Sequence, residues 1–267
     1  MAVTQQQGGF ATATQPLTTQ TLVRTSSEGL LASDISVPTA DGSIPAYCAA
    51  PAEGSNHPVV IVVQEIFGVH EHIRDVVRRF ARLGYLAIAP DLFVRQGDVA
   101  LLTSVDDIRR ITSRVPDAQV LADLDASLQW ATAHGGDKER VAITGFCWGG
   151  RITWLYAAHQ PQLRAAVAWY GRLQGEPNAL QPRFPMDVAG DLKVPVLGLY
   201  GGQDAGISVD SVQKFIFTLH EANSASTVHV YGEAPHAFFA DYRPSYRKVA
   251  AEDGWQRTLQ WFRQHGV

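Results

Sequence analysis

Val141-Ala-Ile-Thr-Gly-Phe-Cys-Trp-Gly-Gly-Arg151 decides how this chain is read. A short β-branched run enters a Gly-x-Cys-x-Gly-Gly turn, and a helical pattern follows through His159. Strand, tight glycine turn and helix form the nucleophile-elbow arrangement, here with cysteine in the serine position. The turn forces Cys147 into an unfavourable backbone conformation, and its flanking glycines avoid clashes with the neighbouring strand and helix. The helix that starts at Cys147 points backbone N–H groups and the positive end of its dipole at the sulfur, favouring a thiolate and an oxyanion. The plainer alternative is a small buried cysteine in a glycine-rich strand–helix turn.

Working outward, strands alternate with helices. Pro58 to Gln64 is a continuous β-branched run of the kind that is buried on both faces. Ile73, Val76, Val77, Phe80 and Leu83 recur at helical spacing, closed by Gly84. Tyr85–Ala89, Ala165–Trp169, Pro195–Tyr200 and Thr227–Tyr231 read as further strands. Helices are expected from Val120 to Ala131, from Ser208 to about Ala222 and from Ala250 to His265, with an irregular or partly helical stretch before Val115. Two short extended segments, Ser36–Pro38 and Ile44–Cys48, flank the turn signal Asp41-Gly42. Pro38 and Pro45 assign both to the sheet edge as an antiparallel pair. The fold class is therefore α/β: a mostly parallel sheet with helices on both faces. Residues 1–30 read as a polar N-terminal arm and residues 31–267 as one domain.

Composition narrows the function. At 267 residues, with 46% apolar and 18% charged residues, the chain can bury a large core. A net charge of -4 argues against nucleic-acid binding, which needs a concentrated basic surface. The two cysteines, Cys48 and Cys147, form no disulfide framework and no zinc-ligand spacing. No membrane span and no signal segment is read, so a cytoplasmic protein is expected.

On a sheet of this type the partners of a nucleophile follow in the order acid, then histidine. Asp204 lies after the Pro195–Tyr200 strand in Tyr-Gly-Gly-Gln-Asp. His236 lies after Thr227–Tyr231 in Gly-Glu-Ala-Pro-His-Ala-Phe. Both sit beyond strand carboxyl ends, where open α/β sheets build their sites. Glu65 closes the buried strand in Gln64-Glu-Ile-Phe-Gly68, and is either a solvated strand terminus or an active-site acid. Ile66 stands where such folds supply a second oxyanion amide.

Taken together, Gln-Glu-Ile-Phe-Gly, Ala-Pro-Asp-Leu-Phe at Ala89–Phe93, Gly-Phe-Cys-Trp-Gly-Gly, Tyr-Gly-Gly-Gln-Asp and the His-Ala-Phe segment resemble the dienelactone hydrolase (carboxymethylenebutenolidase) family over roughly residues 30 to 267. The resemblance implies an α/β-hydrolase fold and hydrolysis of a small ester or lactone through Cys147, with His236 as base and Asp204 as its orienter. It implies that Glu65 holds the resting cysteine as a thiol and takes its proton, and that the amides of Ile66 and Trp148 hold the oxyanion. No metal or cofactor is implied, and a monomer is the default. One departure stands out: dienelactone-cleaving members carry an arginine four residues after the histidine, where this chain has Ala240. Arg243 or Arg247 are the nearby substitutes, and a second family arginine aligns with Arg109 or Arg110. Arg243, Arg110, Phe67 and Trp169 are the candidate substrate-contacting residues. Thiol-dependent acyl transfer, a redox thiol and a non-catalytic binding protein on the same scaffold stay open beside hydrolysis.

Overall fold

The computed structural model describes residues 9–16 and 19–267. In chain order its main elements are β1 (Leu30–Thr39), β2 (Gly42–Pro51), β3 (His57–Val63), α1 (Glu71–Arg82), β4 (Leu86–Pro90), α2 (Val105–Thr112), α3 (Asp117–Ala133) and β5 (Gly136–Phe146). They continue with α4 (Trp148–His159), β6 (Ala165–Trp169), the short α5 (Pro185–Val188), β7 (Val196–Gly201), α6 (Val209–Glu221), β8 (Thr227–Tyr231) and α7 (Lys248–Gln264). The strands form one sheet in the order β1-β2-β4-β3-β5-β6-β7-β8. β2 pairs antiparallel with β1 and β4, and every pairing from β4 through to β8 is parallel. This is the α/β-hydrolase arrangement.

Alternation along β3 feeds two separate cores. Val59, Ile61 and Val63 point into one, with Leu124 of α3, Ile152 of α4 and Phe215 of α6. Val60 and Val62 point into the other, with Val76 and Phe80 of α1 and Leu259 and Phe262 of α7. A strand whose successive side chains each meet a helical layer has no place for a polar residue, hence its unbroken apolar run. Beyond His57 at its start, polar residues appear only past its end, at Gln64 and Glu65.

The edge pair is longer than the sequence suggests, ten residues in each strand. Its arrangement also corrects the assignment of Pro45 to an edge, because β2 lies between β1 and β4. The Pro45 carbonyl accepts from Asp91 N–H at 2.8 Å, just past the last β2–β4 pair. Its ring nitrogen, which has no hydrogen to donate, therefore faces the margin of the ladder and breaks no bond.

The described part of the N-terminal arm is stitched to the body. Glu71 N–H donates to Gly9 O (3.1 Å), Thr12 N–H to Ala100 O (2.9 Å) and Thr25 N–H to Asp75 Oδ1 (2.6 Å). Ala11 is buried. No described helix is long and apolar enough to cross a membrane.

Candidate active site

The turn between β5 and α4 sets Cys147 at φ 54°, ψ −112°. A non-glycine residue at positive φ is strained, and such strain persists only where the surroundings overdetermine it. Here Cys147 N–H is tied to Trp169 O at 3.0 Å. Two glycines make the close approach possible. A Cβ on Gly145 would lie 2.2 Å from Gly149 O, and one on Gly149 would lie 2.5 Å from both Gln64 O and Val63 O. The elbow is thus packed directly against the end of β3, which carries Glu65.

Asp204 follows β7 and is 7% exposed. Its Oδ1 accepts from the amides of Gly206 (2.8 Å) and Ile207 (3.1 Å), and its Oδ2 is 2.6 Å from His236 Nδ1. Those two amides fix the carboxylate, and the carboxylate selects the tautomer with hydrogen on Nδ1. The Cys147 side chain lies close enough to the imidazole to act on its charge. Burial works against charge on His236, but Asp204 and Cys147 prevail and push its pKa up to about 10. The structure therefore joins His236 to Asp204 by a hydrogen bond and sets Cys147 beside the imidazole.

Glu65 is 1% exposed. Tyr242 donates its hydroxyl to Oε2 at 2.7 Å, while Oε1 is buried with no partner among the described residues. Tyr170, at the carboxyl end of β6, has φ 37°, and its ring lies 5.1 Å from that of His236. Its hydroxyl is also buried, with no partner among the described residues. Burial first, and then the Glu65 carboxylate, hold the phenols of Tyr170 and Tyr242 well above their usual range, so both remain hydrogen-bond donors. Tyr170 also feels the charge of Cys147. Neither tyrosine was singled out from sequence. Tyr170 carried one usable signal, its place just past a strand's carboxyl end. Tyr242 meets Glu65 across 177 residues of chain and carried none.

The amides of Ile66 and Trp148 donate to no carbonyl among the described residues. The Trp148 ring stands edge-on to Phe93 at 4.7 Å. The Arg243 guanidinium lies 5.5 Å from the centre of the Phe67 ring, with no carboxylate partner among the described residues. Its charge is felt by His70, Tyr170 and Tyr242. Ala240 is fully buried, so nothing cationic stands at that position.

Other expected contacts lie elsewhere. Arg110 is on the solvent face of α2, bound to Asp107, and Arg109 pairs with Asp106 on the same helix. Each arginine is exposed and held by a carboxylate of its own helix. Arg247 is exposed and donates to the carbonyls of Pro244 and Tyr246. Trp169 also lies elsewhere. Its ring is locked in the core by Phe146, Phe238 and Phe239, and its contribution to the site is the carbonyl that receives Cys147 N–H. Cys48 is buried in β2, and burial pushes its thiol up to about 12, an inert setting. No group of three or more His, Cys, Asp or Glu among the described residues is arranged to hold a metal ion.

Comparison with known proteins accords with this geometry. The profile described as "Dienelactone hydrolase family" matches residues 44–266. A Methylorubrum extorquens protein named "Putative carboxymethylenebutenolidase" is 57% identical over 261 residues, covering 97% of this chain and 90% of its own. An Escherichia coli K12 protein of the same name is 54% identical over 265 residues, covering 98% and 97%. Among solved structures, a Klebsiella pneumoniae protein described as "Putative Dienelactone Hydrolase" superposes with a TM-score of 0.87 at 56% identity, covering 88% of this chain and 99% of that one.

Proposed function

The chain belongs to the dienelactone hydrolase family and is a hydrolase of ester or lactone bonds; from that premise we propose that Cys147 is its nucleophile and that the reaction runs through an acyl-thioester. The supporting observation is the hydrogen bond from His236 to Asp204 with Cys147 beside the same imidazole at a strained elbow. The family resemblance gives the thiol proton to the carboxylate just past β3, against which the elbow is packed, and leaves His236 as the acid for the leaving group. The acceptor is then Glu65, whose Oε1 is the buried carboxylate oxygen left without a partner.

In acylation the S–H bond breaks and its proton passes to Glu65 Oε1. The sulfur lone pair attacks the carbonyl carbon, and the carbonyl π electrons move to oxygen, held by the amides of Ile66 and Trp148. Each such donor contributes about 3 kcal/mol to the transition state. The intermediate collapses as His236 gives its proton to the leaving oxygen. The neutral imidazole then serves as base for the water that hydrolyses the thioester, and the proton on Glu65 returns to sulfur. Asp204 keeps the ring oriented throughout.

Iodoacetamide labelling tests this reading. Alkylation of Cys147, located by mass spectrometry, should remove p-nitrophenyl acetate turnover in proportion to the fraction labelled, with Cys48 left unmodified. Full labelling with turnover intact would require a different nucleophile.

Arg243 and Phe67 are the residues assigned to substrate binding. An unpaired guanidinium beside buried tyrosines suits an anionic group on the acyl portion. Arg243→Ala should raise KM roughly 10- to 100-fold for an ester bearing a carboxylate, the scale of one charge-assisted hydrogen bond. KM for p-nitrophenyl acetate should change little. An equal effect on both substrates would contradict the assignment.

A further inference from the structure

Tyr242 places a hydroxyl on Glu65 with no other role visible for it. Its ring is walled in by three aromatic neighbours: Phe10 of the N-terminal arm at 5.5 Å, His70 at 5.1 Å and His72 at 5.0 Å. The neighbouring Asp241 is anchored independently. His72 Nδ1 lies 3.1 Å from its Oδ1, Arg79 donates to its Oδ2 at 2.5 Å, and Thr21 donates to its carbonyl at 2.6 Å. The phenol is thus held from its backbone and from three sides of its ring, and its one polar atom meets Glu65 Oε2. Of the two carboxylate oxygens, one is occupied and the other is not.

We propose that Tyr242 is a positioning residue for proton transfer at Cys147: by pinning Oε2 of Glu65 it fixes the carboxylate with Oε1 free to receive the thiol proton. This rests on the reading that Glu65 is the proton acceptor. The step it serves breaks S–H and forms O–H on Oε1, leaving the S–H electron pair on sulfur, while the Tyr242 O–H bond stays intact. A carboxylate on a free side chain can rotate about its last bond and present either oxygen. A buried hydroxyl at 2.7 Å removes that freedom. A phenol hydroxyl steadies the carboxylate as a neutral donor. The packing of Phe10 on Tyr242 makes the N-terminal arm part of the same support.

Tyr242→Phe removes one oxygen and keeps the ring contacts. The result expected is a roughly 10- to 100-fold fall in kcat with KM for p-nitrophenyl acetate unchanged. The rate of Cys147 alkylation by iodoacetamide, which needs no substrate, should fall by a similar factor. In a Glu65→Gln background the same substitution should cause no further loss in either rate, since the group it positions is gone. Three results would overturn the inference: parent-like kcat and alkylation in Tyr242→Phe, an equal loss in the parent and Glu65→Gln backgrounds, or a rise confined to KM. These are separable from failure of the underlying reading. If labelled Cys147 still turns over ester, the nucleophile is wrong. If labelling abolishes turnover while Tyr242→Phe behaves as the parent, only the positioning role is lost.

Discussion

Cys147→Ala should lower kcat for ester hydrolysis by roughly 10⁶-fold, the scale seen when a nucleophile that works as a unit with its histidine is removed. Residual rate over water comes from the oxyanion amides and from binding alone. The fold should survive, because Cys147 contributes no large buried surface and an alanine fits the same strained turn. The variant has a second readout that needs no substrate. Cys147 is one of the two groups that hold the His236 pKa up at about 10 against burial. With the sulfur gone, Asp204 alone opposes burial, so the His236 ring resonances followed by NMR should titrate at lower pH than in the parent. The sign extends to rate and stability. A histidine serving as acid in acylation must carry its proton, so kcat/KM in the parent should fall as pH rises through about 10. Its folded value lies above that of the unfolded chain, so its contribution to stability is complete below about 6.5 and fades as pH climbs through about 10. An alanine variant with parent-like turnover would end the mechanism. An unchanged His236 titration would mean that the imidazole and sulfur do not interact in solution.

How much of this was legible in the sequence follows from where each determinant lies along the chain. β3, β6 and α1 could be read because a strand between two helical layers must be apolar at every position, and a surface helix must be apolar on one stripe. β1 was underestimated because it is largely exposed; polar residues interrupt it, at Ser33, Asp34 and Ser36, and mask its ten-residue length. α2 is short, charged and capped by Ser104, with only Ile108 and Thr112 buried, so its periodicity is faint. Cys147, Asp204 and His236 were legible because each follows a recognisable strand and their chain order is constrained. Tyr242 and Tyr170 were not, since their meaning lies in distant contacts, with Glu65 for the one and His236 for the other, that no local pattern encodes. Phe67 and Arg243 do meet, while Trp169 and Arg110 part from the site for opposite reasons. Trp169 is locked in the core and Arg110 is turned to solvent, and an isolated residue type announces neither fate.

The second large effect is on stability, at the base of the same elbow. Arg151 lies in the first turns of α4, four residues beyond Cys147, and its side chain is 4% exposed. Its guanidinium grips Asp117 at the start of α3 with both nitrogens, Nη1 to Oδ1 at 2.8 Å and Nη2 to Oδ2 at 2.7 Å. Nη2 also donates to Arg183 O at 2.6 Å, and the Phe184 ring packs against the guanidinium at 4.7 Å. A bidentate pair of this kind locks the helix that carries the elbow to the α3 layer and to the segment before α5. Asp117→Ala leaves a buried cation with only a carbonyl for company, which costs about 3–5 kcal/mol. For a chain of this size that corresponds to a fall in Tm of roughly 6 to 20 °C. Asp117→Asn keeps an acceptor for one nitrogen and should fall between Asp117→Ala and the parent. Replacing both partners by apolar residues of similar volume, Arg151→Met with Asp117→Leu, removes the stranded charge as well as the pair. Buried ion pairs replaced whole in this way are often neutral, so the double variant should melt well above Asp117→Ala. If thermal unfolding shows the double variant no more stable than Asp117→Ala, the damage is lost packing at the α3–α4 contact and not an uncompensated charge.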